Sequence, residues 1–373
     1  MPLTVSAPGK LVVAGEWAIL DVGNPGIIAS INKRVFAEFG EAERIEVNIE
    51  DFGLNGLHAD FDGKDLKWER DLSEKEQKDT LFMKASIETA LRYLEGKFKP
   101  FSIKTWGEDT NIVVDGQLKK VGFGSSAASV VAVIGGILKL NGKNIASRKG
   151  KDITYKLATI AHFFAQGKVG SAFDVAASTY GGVFVYKRFD PKWLERQMAS
   201  GASVKDIAEQ DWPAFEVEQL KIPGDFRLLI GWTKESASTT NLVKQLGEWA
   251  KASSANDQNR IRIYGSIALI VHDIVKAWKN NDKKKVTALL NRNEDYLSEL
   301  TRVSGIGIET QELKLLHEAA KAVGAAGKLS GAGGGDCGIG VCFDEKTAEA
   351  IKSAWEGKGL RLIDATVDKD GLR

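Results

Sequence analysis

The chain has 373 residues, more than one hydrophobic core usually organises, so two domains are expected. Hydrophobic residues at 43% and charged residues at 27% describe an ordinary globular protein and exclude a disordered or fibrous one. With 51 basic and 50 acidic residues the formal charge is +1, which excludes a nucleic-acid surface built on clustered excess Lys and Arg.

In chain order, short β-rich runs are expected at 3–6, 11–14, 45–49 and 101–105. Leu81, Ala85, Leu91 and Leu94 share one face of a helix that Gly96 stops. Asp152 reads as the N-cap of a helix over 153–166, with Leu157, Ile160, Ala161 and Phe164 as its apolar stripe, and 182–186 reads as a strand. Between Asp190 and Gly224 the pattern turns irregular, with Trp193, Trp212, Pro213 and Pro223 among charges. That places an N-terminal nucleotide-binding domain at 1–190, an irregular connection at 191–224 and a C-terminal domain at 225–373. The second domain is expected to hold a strand at 226–231, helices at 239–252, 260–280, 283–301 and 311–323, a strand at 338–343, a helix at 345–357 and a strand at 360–366. Segregated strands and helices, without a regular βαβ alternation, make the class α+β. Cys337 and Cys342, five positions apart in a strand, lie on opposite faces and cannot form a disulfide; reduced structural thiols are expected. The longest mainly apolar stretch, 127–138, is too short for a bilayer and no signal peptide is apparent, so a soluble cytoplasmic protein without a membrane partner is expected.

Chemistry concentrates in three segments. Residues 119–129 read KKVGFGSSAAS and run into an apolar helix. Gly122 and Gly124 allow close backbone approach, Ser125 is a natural N-cap, and the N–H groups of Gly124 to Ala127 would aim the helix dipole at an anion such as a polyphosphate. Ser126 can offer its hydroxyl to a Mg²⁺ carried by ATP. G-x-x-x-x-G-K-[ST] is absent from the chain, so this is not the common P-loop. The second segment, SAPGKLVVAGEWAIL at 6–20, holds Lys10 in a rigid turn after Pro8 and Gly9. The third, KLSGAGGGDCGIGVCF at 328–343, carries glycines at 331, 333, 334 and 335 before Asp336. Four histidines, His58, His162, His272 and His317, fall in no motif and are read as structural or surface residues, which disfavours histidine-dependent hydrolysis or a metalloenzyme.

In that order along the chain, the three segments resemble the motifs of the GHMP kinases, named for galactokinase, homoserine kinase, mevalonate kinase and phosphomevalonate kinase. The resemblance implies a two-domain fold, an N-terminal ribosomal-protein-S5-like α/β domain and a C-terminal ferredoxin-like α+β domain, with an ATP site at their interface and ATP and Mg²⁺ as cofactors. It puts Lys10 at the reaction centre and Asp174 of GSAFD where the mevalonate-kinase branch carries an aspartate credited with taking the acceptor's proton. Lys120, Gly122, Gly124, Ser125, Ser126, Ala127, Gly331, Gly333 and Gly334 would bind ATP phosphates, with Ser126 as metal ligand. Lys10, Trp17, Ser171, Ser236, Ser238, Thr239, Gly334 and Asp336 would meet the acceptor, with Lys119, Lys120, Lys168 and Lys234 as candidate cations for a phosphate on it. Segments 167–189 and 231–240 resemble the phosphomevalonate kinase branch, implying phosphomevalonate as small-molecule substrate and a monomer or homodimer. Trp17 departs from the histidine that mevalonate kinases carry after Gly-Glu. Where some members supply a second metal carboxylate, this chain has Ala161, His162, Phe163 and Gln166. A kinase for mevalonate or another small alcohol, and a non-catalytic ATP-binding module, are the rival readings.

Overall fold

The computed structural model describes residues 2–108, 111–114, 117–167, 170–234 and 238–373, and of 111–114 and 117–120 the strand pairing alone. The chain opens with strands β1 (Leu3–Ala14), β2 (Pro25–Glu41), β3 (Ile45–Ile49), β4 (Leu54–Phe61) and β5 (Leu66–Trp68), then helix α1 (Glu74–Tyr93) and strand β6 (Phe101–Gly107). A hairpin, β7 (Asn111–Val114) and β8 (Gln117–Lys120), leads into helices α2 (Ser125–Leu140), α3 (Arg148–Ala165) and α4 (Phe173–Tyr180). Strand β9 (Val183–Lys187), helices α5 (Pro191–Ala199) and α6 (Val204–Glu209) and strand β10 (Glu216–Leu220) complete this half. Its sheet runs β10-β9-β2-β6-β3-β4-β5, with β1 paired to β2. One face of it, with Phe39, Phe101 and Ile103, packs under α1, α2 and α3 through Ile87, Val131, Ile134 and Leu157.

The second half comprises β11 (Arg227–Trp232), helices α7 (Thr239–Ala252), α8 (Ser254–Lys279), α9 (Lys283–Ser304) and α10 (Gln311–Ala322), strands β12 (Ala326–Leu329) and β13 (Cys337–Cys342), α11 (Glu345–Glu356) and β14 (Arg361–Ile363). The antiparallel order β12-β13-β11-β14 is that of a ferredoxin-like sheet. Leu229, Leu316, Ile351 and Trp355 fill one face. On the other, Ile230, Trp232 and Ile339 meet Leu11, Val13, Ile27 and Val185 of the first sheet and Ile270, Val271 and Ile274 of α8, so one apolar seam joins the two halves. Cys337 lies in that seam and Cys342 on the opposite face; both are buried free thiols.

Several expectations are revised. The 191–224 segment, read as irregular, carries α5, α6 and β10, and β10 extends the first sheet by pairing with β9. β2 was not legible because both its faces are covered over most of its 17 residues, which removes the alternation that marks a half-buried strand. Helix α3 is capped by Ser147, whose Oγ accepts from the Gly150 N–H at 3.0 Å, whereas Asp152 sits inside the helix and accepts from the Tyr180 hydroxyl at 2.7 Å. The tail after β14 returns to the first half: the backbones of Ser6 and Arg373 exchange hydrogen bonds of 2.9 and 3.1 Å, and Arg34 pairs with Asp368 in a buried ion pair.

Gly136 of α2 faces Phe39 so closely that a Cβ there would lie 1.9 Å from the ring. Gly136→Ala is expected to destabilise the protein by about 1–3 kcal/mol through overpacking, read from urea unfolding midpoints; unchanged stability would show that the ring can yield.

Candidate active site

The three motif segments meet in one cleft at the seam, lined among others by Lys10, Trp17, Gly122, Gly124, Ser125, Ser126, Ser171, Asp174, Thr239, Gly331 and Asp336. β1 delivers Lys10 to the cleft just after a register shift in its pairing with β2, between Pro8 and Gly9. The ammonium donates to the Gly122 carbonyl at 2.8 Å and stands 5.9 Å from the Phe173 ring centroid. Gly124 needs its missing side chain: its φ is 78°, and a Cβ would fall 3.1 Å from Lys10 Cγ and 3.7 Å from Asp174 Cβ. That glycine, not Ser125, is the N-cap of α2; Ser125 is the first helical residue and Ser126 the second. The first N–H groups of the 16-residue helix therefore open on the space between Lys10 and Asp174.

Asp174 lies in the first turn of α4, half-buried, its Oδ1 accepting from the Val175 N–H at 2.9 Å. It forms no ion pair with Lys10, whose direction is set by Gly122 and Phe173 instead. The Asp336 carboxylate packs on Gly122, where a Cβ would lie 2.6 Å from Asp336 Cγ, so the last motif closes over the first glycine of the 119–129 turn. Ser330 fastens that motif to β1, its hydroxyl accepting from Val12 N–H at 2.9 Å and donating to Val12 C=O at 3.0 Å.

Other expected residues sit elsewhere. Gly333 and Gly334 turn to the loop after α9: a Cβ on Gly333 would lie 2.1 Å from the Ile308 carbonyl, and Gly334 N–H donates to that oxygen at 2.7 Å. The Ala127 side chain is buried in the core behind the loop, while its N–H, the group expected at an anion, belongs to the first turn of α2. Ser238 is exposed and caps α7, its Oγ accepting from Asn241 N–H at 3.4 Å. Lys234 is exposed with φ 67° and is not among the cleft-lining residues. Ser236, Lys168 and the side chains of Lys119 and Lys120 lie outside the described residues.

Sequence reading missed His162. Far from being remote, its Nε2 lies 3.3 Å from Ser126 Oγ, and its ring stacks on Phe82 with centroids 5.0 Å apart. It stands in the last turn of α3, where some family members carry a second metal carboxylate, and only the packing of α3 against α2 brings it to Ser126. Phe163, Gln166 and Phe173 also line the cleft. Trp17 and Ser171 stand on its walls, while Trp17 Nε1 and Ser171 Oγ are themselves shut off from solvent without a hydrogen-bond partner, a state that costs free energy. Trp17 also holds φ 64°, a strained value for an aromatic residue.

Behind this wall Glu16 pairs with Lys328, with Glu294 beside them, all essentially without exposure. Burial pushes the Glu294 carboxyl up to about 8 despite the Lys328 ammonium, and Glu16 adds to the rise. Burial likewise raises Glu16, opposed by Lys328. An unfolded glutamate titrates near 4.3, so between that pH and about 8 the folded chain holds a proton the unfolded chain has lost, and stability falls as pH rises through the window. Glu294→Gln is expected to gain thermal stability relative to wild type as pH is raised from 5 to about 9. A difference in Tm that does not vary with pH would show that Glu294 holds no such proton.

The chain is similar over nearly its whole length to proteins of known family. Residues 85–182 match the model of the GHMP kinases N terminal domain, and 274–360 that of GHMP kinases C terminal. The chain is 30% identical over 374 residues to a phosphomevalonate kinase of Streptomyces sp. (strain CL190), covering 98% of this chain and 97% of that protein. It is 26% identical to a mevalonate kinase of Pyrococcus horikoshii, over 99% of this chain and 96% of that one. Its fold superimposes on Streptococcus pneumoniae phosphomevalonate kinase in complex with phosphomevalonate and AMPPNP with a TM-score of 0.80 at 26% identity, covering 98% of this chain and 99% of that one. Among the described residues no helix is long and apolar enough to cross a membrane.

Proposed function

Because the chain belongs to the GHMP kinase family, we propose that it transfers the γ-phosphoryl group of ATP to the phosphate of phosphomevalonate, giving diphosphomevalonate and ADP. The observation that carries this reading is the convergence of three glycine-rich segments on one cleft where Lys10, the N-terminus of α2 and Asp174 face a common space. Support for the acceptor comes from the phosphomevalonate kinases among the relatives.

In this scheme the phosphate oxygen of the acceptor attacks γ-phosphorus while the bond from γ-phosphorus to the β–γ bridging oxygen breaks, and that oxygen leaves on ADP. A phosphate monoester has a second pKa of about 6, so its nucleophilic oxygen is already ionised near neutral pH and no general base is needed. Asp174 then serves to orient rather than to take a proton. Lys10 places a compact positive charge where the transferring group gathers negative charge, its ammonium oriented by the Gly122 carbonyl and the Phe173 ring so that little reorganisation is required. The α2 N–H groups and Gly331 cradle phosphate oxygens.

The site suits a Mg²⁺ that arrives on the nucleotide. Among the described residues no group of three or more His, Cys, Asp and Glu forms an all-protein cage, and Mg²⁺ on ATP usually needs one or two protein ligands. Ser126 Oγ and the Asp174 carboxylate would hold it, and when bound it neutralises β- and γ-phosphate oxygens. Ser126→Ala is expected to raise the Mg²⁺ concentration for half-maximal rate while leaving the fold intact; a titration overlaying wild type would reduce Ser126 to a helix-start residue and advance Ser125. The overall reading is tested by ADP release on mixing the protein with MgATP and phosphomevalonate, and no release above the ATP-only background would reject it.

A further inference from the structure

Beneath the acceptor wall lies a charged cluster that the transfer scheme does not use. Lys328 of β12 pairs with Glu16, which follows Gly15 at the exit of β1, and its Nζ also donates to the Leu329 carbonyl at 2.7 Å. Two neighbours on α9 complete the set: Asn293 Oδ1 accepts from Gly15 N–H at 3.0 Å and Glu294 Oε2 from Leu329 N–H at 3.1 Å. Glu309, beyond α9, adds a more distant negative charge to Glu294. From α8 the cluster meets the apolar Val271, which a Cβ on Gly15 would approach to 3.2 Å, and the His317 ring of α10 is turned to the Gly327 carbonyl.

The partners span both halves of the molecule. Gly15, Glu16 and Trp17 follow β1 within the first motif, whereas Lys328 and Leu329 launch the loop 330–336. Between them Trp17 holds φ 64° and lodges its ring among Leu246, Ile263, Ile267 and Leu297 of the helices α7, α8 and α9. A strained backbone persists only where its surroundings over-determine it. A buried ammonium between carboxyls is a costly way to gain stability, since an apolar set of the same shape often does as well, and the arrangement is better explained by the geometry it enforces.

We infer that Lys328 is a positioning residue for the reaction: through Glu16 it ties the Gly15–Trp17 turn to β12, holding the Trp17 wall of the cleft in register with the loop 330–336. The inference rests on reading the cleft as the kinase site, and it concerns the acceptor side more than ATP.

The test uses Lys328→Met and the double variant Glu16→Gln/Lys328→Met, whose neutral pair leaves no uncompensated buried charge and keeps the test alive if the single variant does not fold. In ligand-free protein, amide exchange over residues 15–20 is expected to quicken by about tenfold or more in the double variant relative to wild type, the signature of a locally released turn. With whichever acceptor wild type uses, its KM is expected to rise about tenfold while KM for ATP changes by less than about twofold, a split that general loosening would not produce. Wild-type exchange at 15–20, or equal rises in both KM values, would overturn the assignment. Exchange is measured without substrate, so a protein that ignores phosphomevalonate would refute the acceptor reading and leave this one standing or falling separately.

Discussion

Phosphomevalonate is expected to be turned over with a kcat/KM on the order of 10⁴-fold above that of mevalonate, the scale on which a pocket built for a polar group rejects the analogue lacking it. The cause is desolvation: cleft donors arranged for a phosphate stay unpaired when an alcohol binds, and each unpaired buried group costs free energy that the complex with phosphomevalonate avoids. The pH profile offers an independent check. An acceptor phosphate with a pKa of about 6 should place an acidic limb near that value, and the limb should survive in Asp174→Asn because the carboxylate is not the base. Side-by-side kinetics with the two acceptors decide the matter. Equal values, or a preference for mevalonate, would move the assignment to an alcohol kinase, a class present among the relatives.

Lys10→Ala is expected to lower kcat by roughly 10²-fold or more, the scale of removing a preorganised electrostatic donor, with a smaller change in ATP binding. The asymmetry follows from where charge moves. On the proposed reading, the N-terminus of α2 and the glycine turns would already share the phosphate charge in the ground state, whereas in transfer the negative charge would grow on the group Lys10 faces. Removing the side chain also vacates the space beside Gly124, so Lys10→Met, which refills the stem without the ammonium, should show the same loss. A folded Lys10→Ala protein with near-wild-type kcat would rule the role out.

Much of the site was legible because its chemistry is local. A glycine that must adopt positive φ, a hydroxyl at a helix start and a lysine after Pro-Gly each depend on neighbours within a few positions, which is why 6–20, 119–129 and 328–343 could be read directly and why Lys10, Gly122, Gly124, Ser126 and Asp336 meet in the cleft. Helices with strong caps and one wet face were equally readable: α7 and α9 start at the expected residues, and α11 begins where Asp344 accepts from Thr347 N–H. Local reasoning failed where the same residue types have two uses. Gly333 and Gly334 look like phosphate binders, yet Gly333 makes room for the Ile308 carbonyl and Gly334 donates to it, and Ser238 looks like a ligand yet caps a helix.

By itself the sequence determined the α+β class, the phosphate loop, the order of the motifs and the reduced state of the two cysteines, since each follows from spacing, backbone freedom or strand alternation. Only the tertiary structure decided the partnership of His162 with Ser126, 36 positions apart, and that of Lys328 with Glu16, 312 positions apart. It also decided the course of β2 and the return of the 366–373 tail to the first half. Such contacts come from packing two layered halves along one apolar seam, and no periodicity within a single segment encodes which buried polar group will find which partner across it.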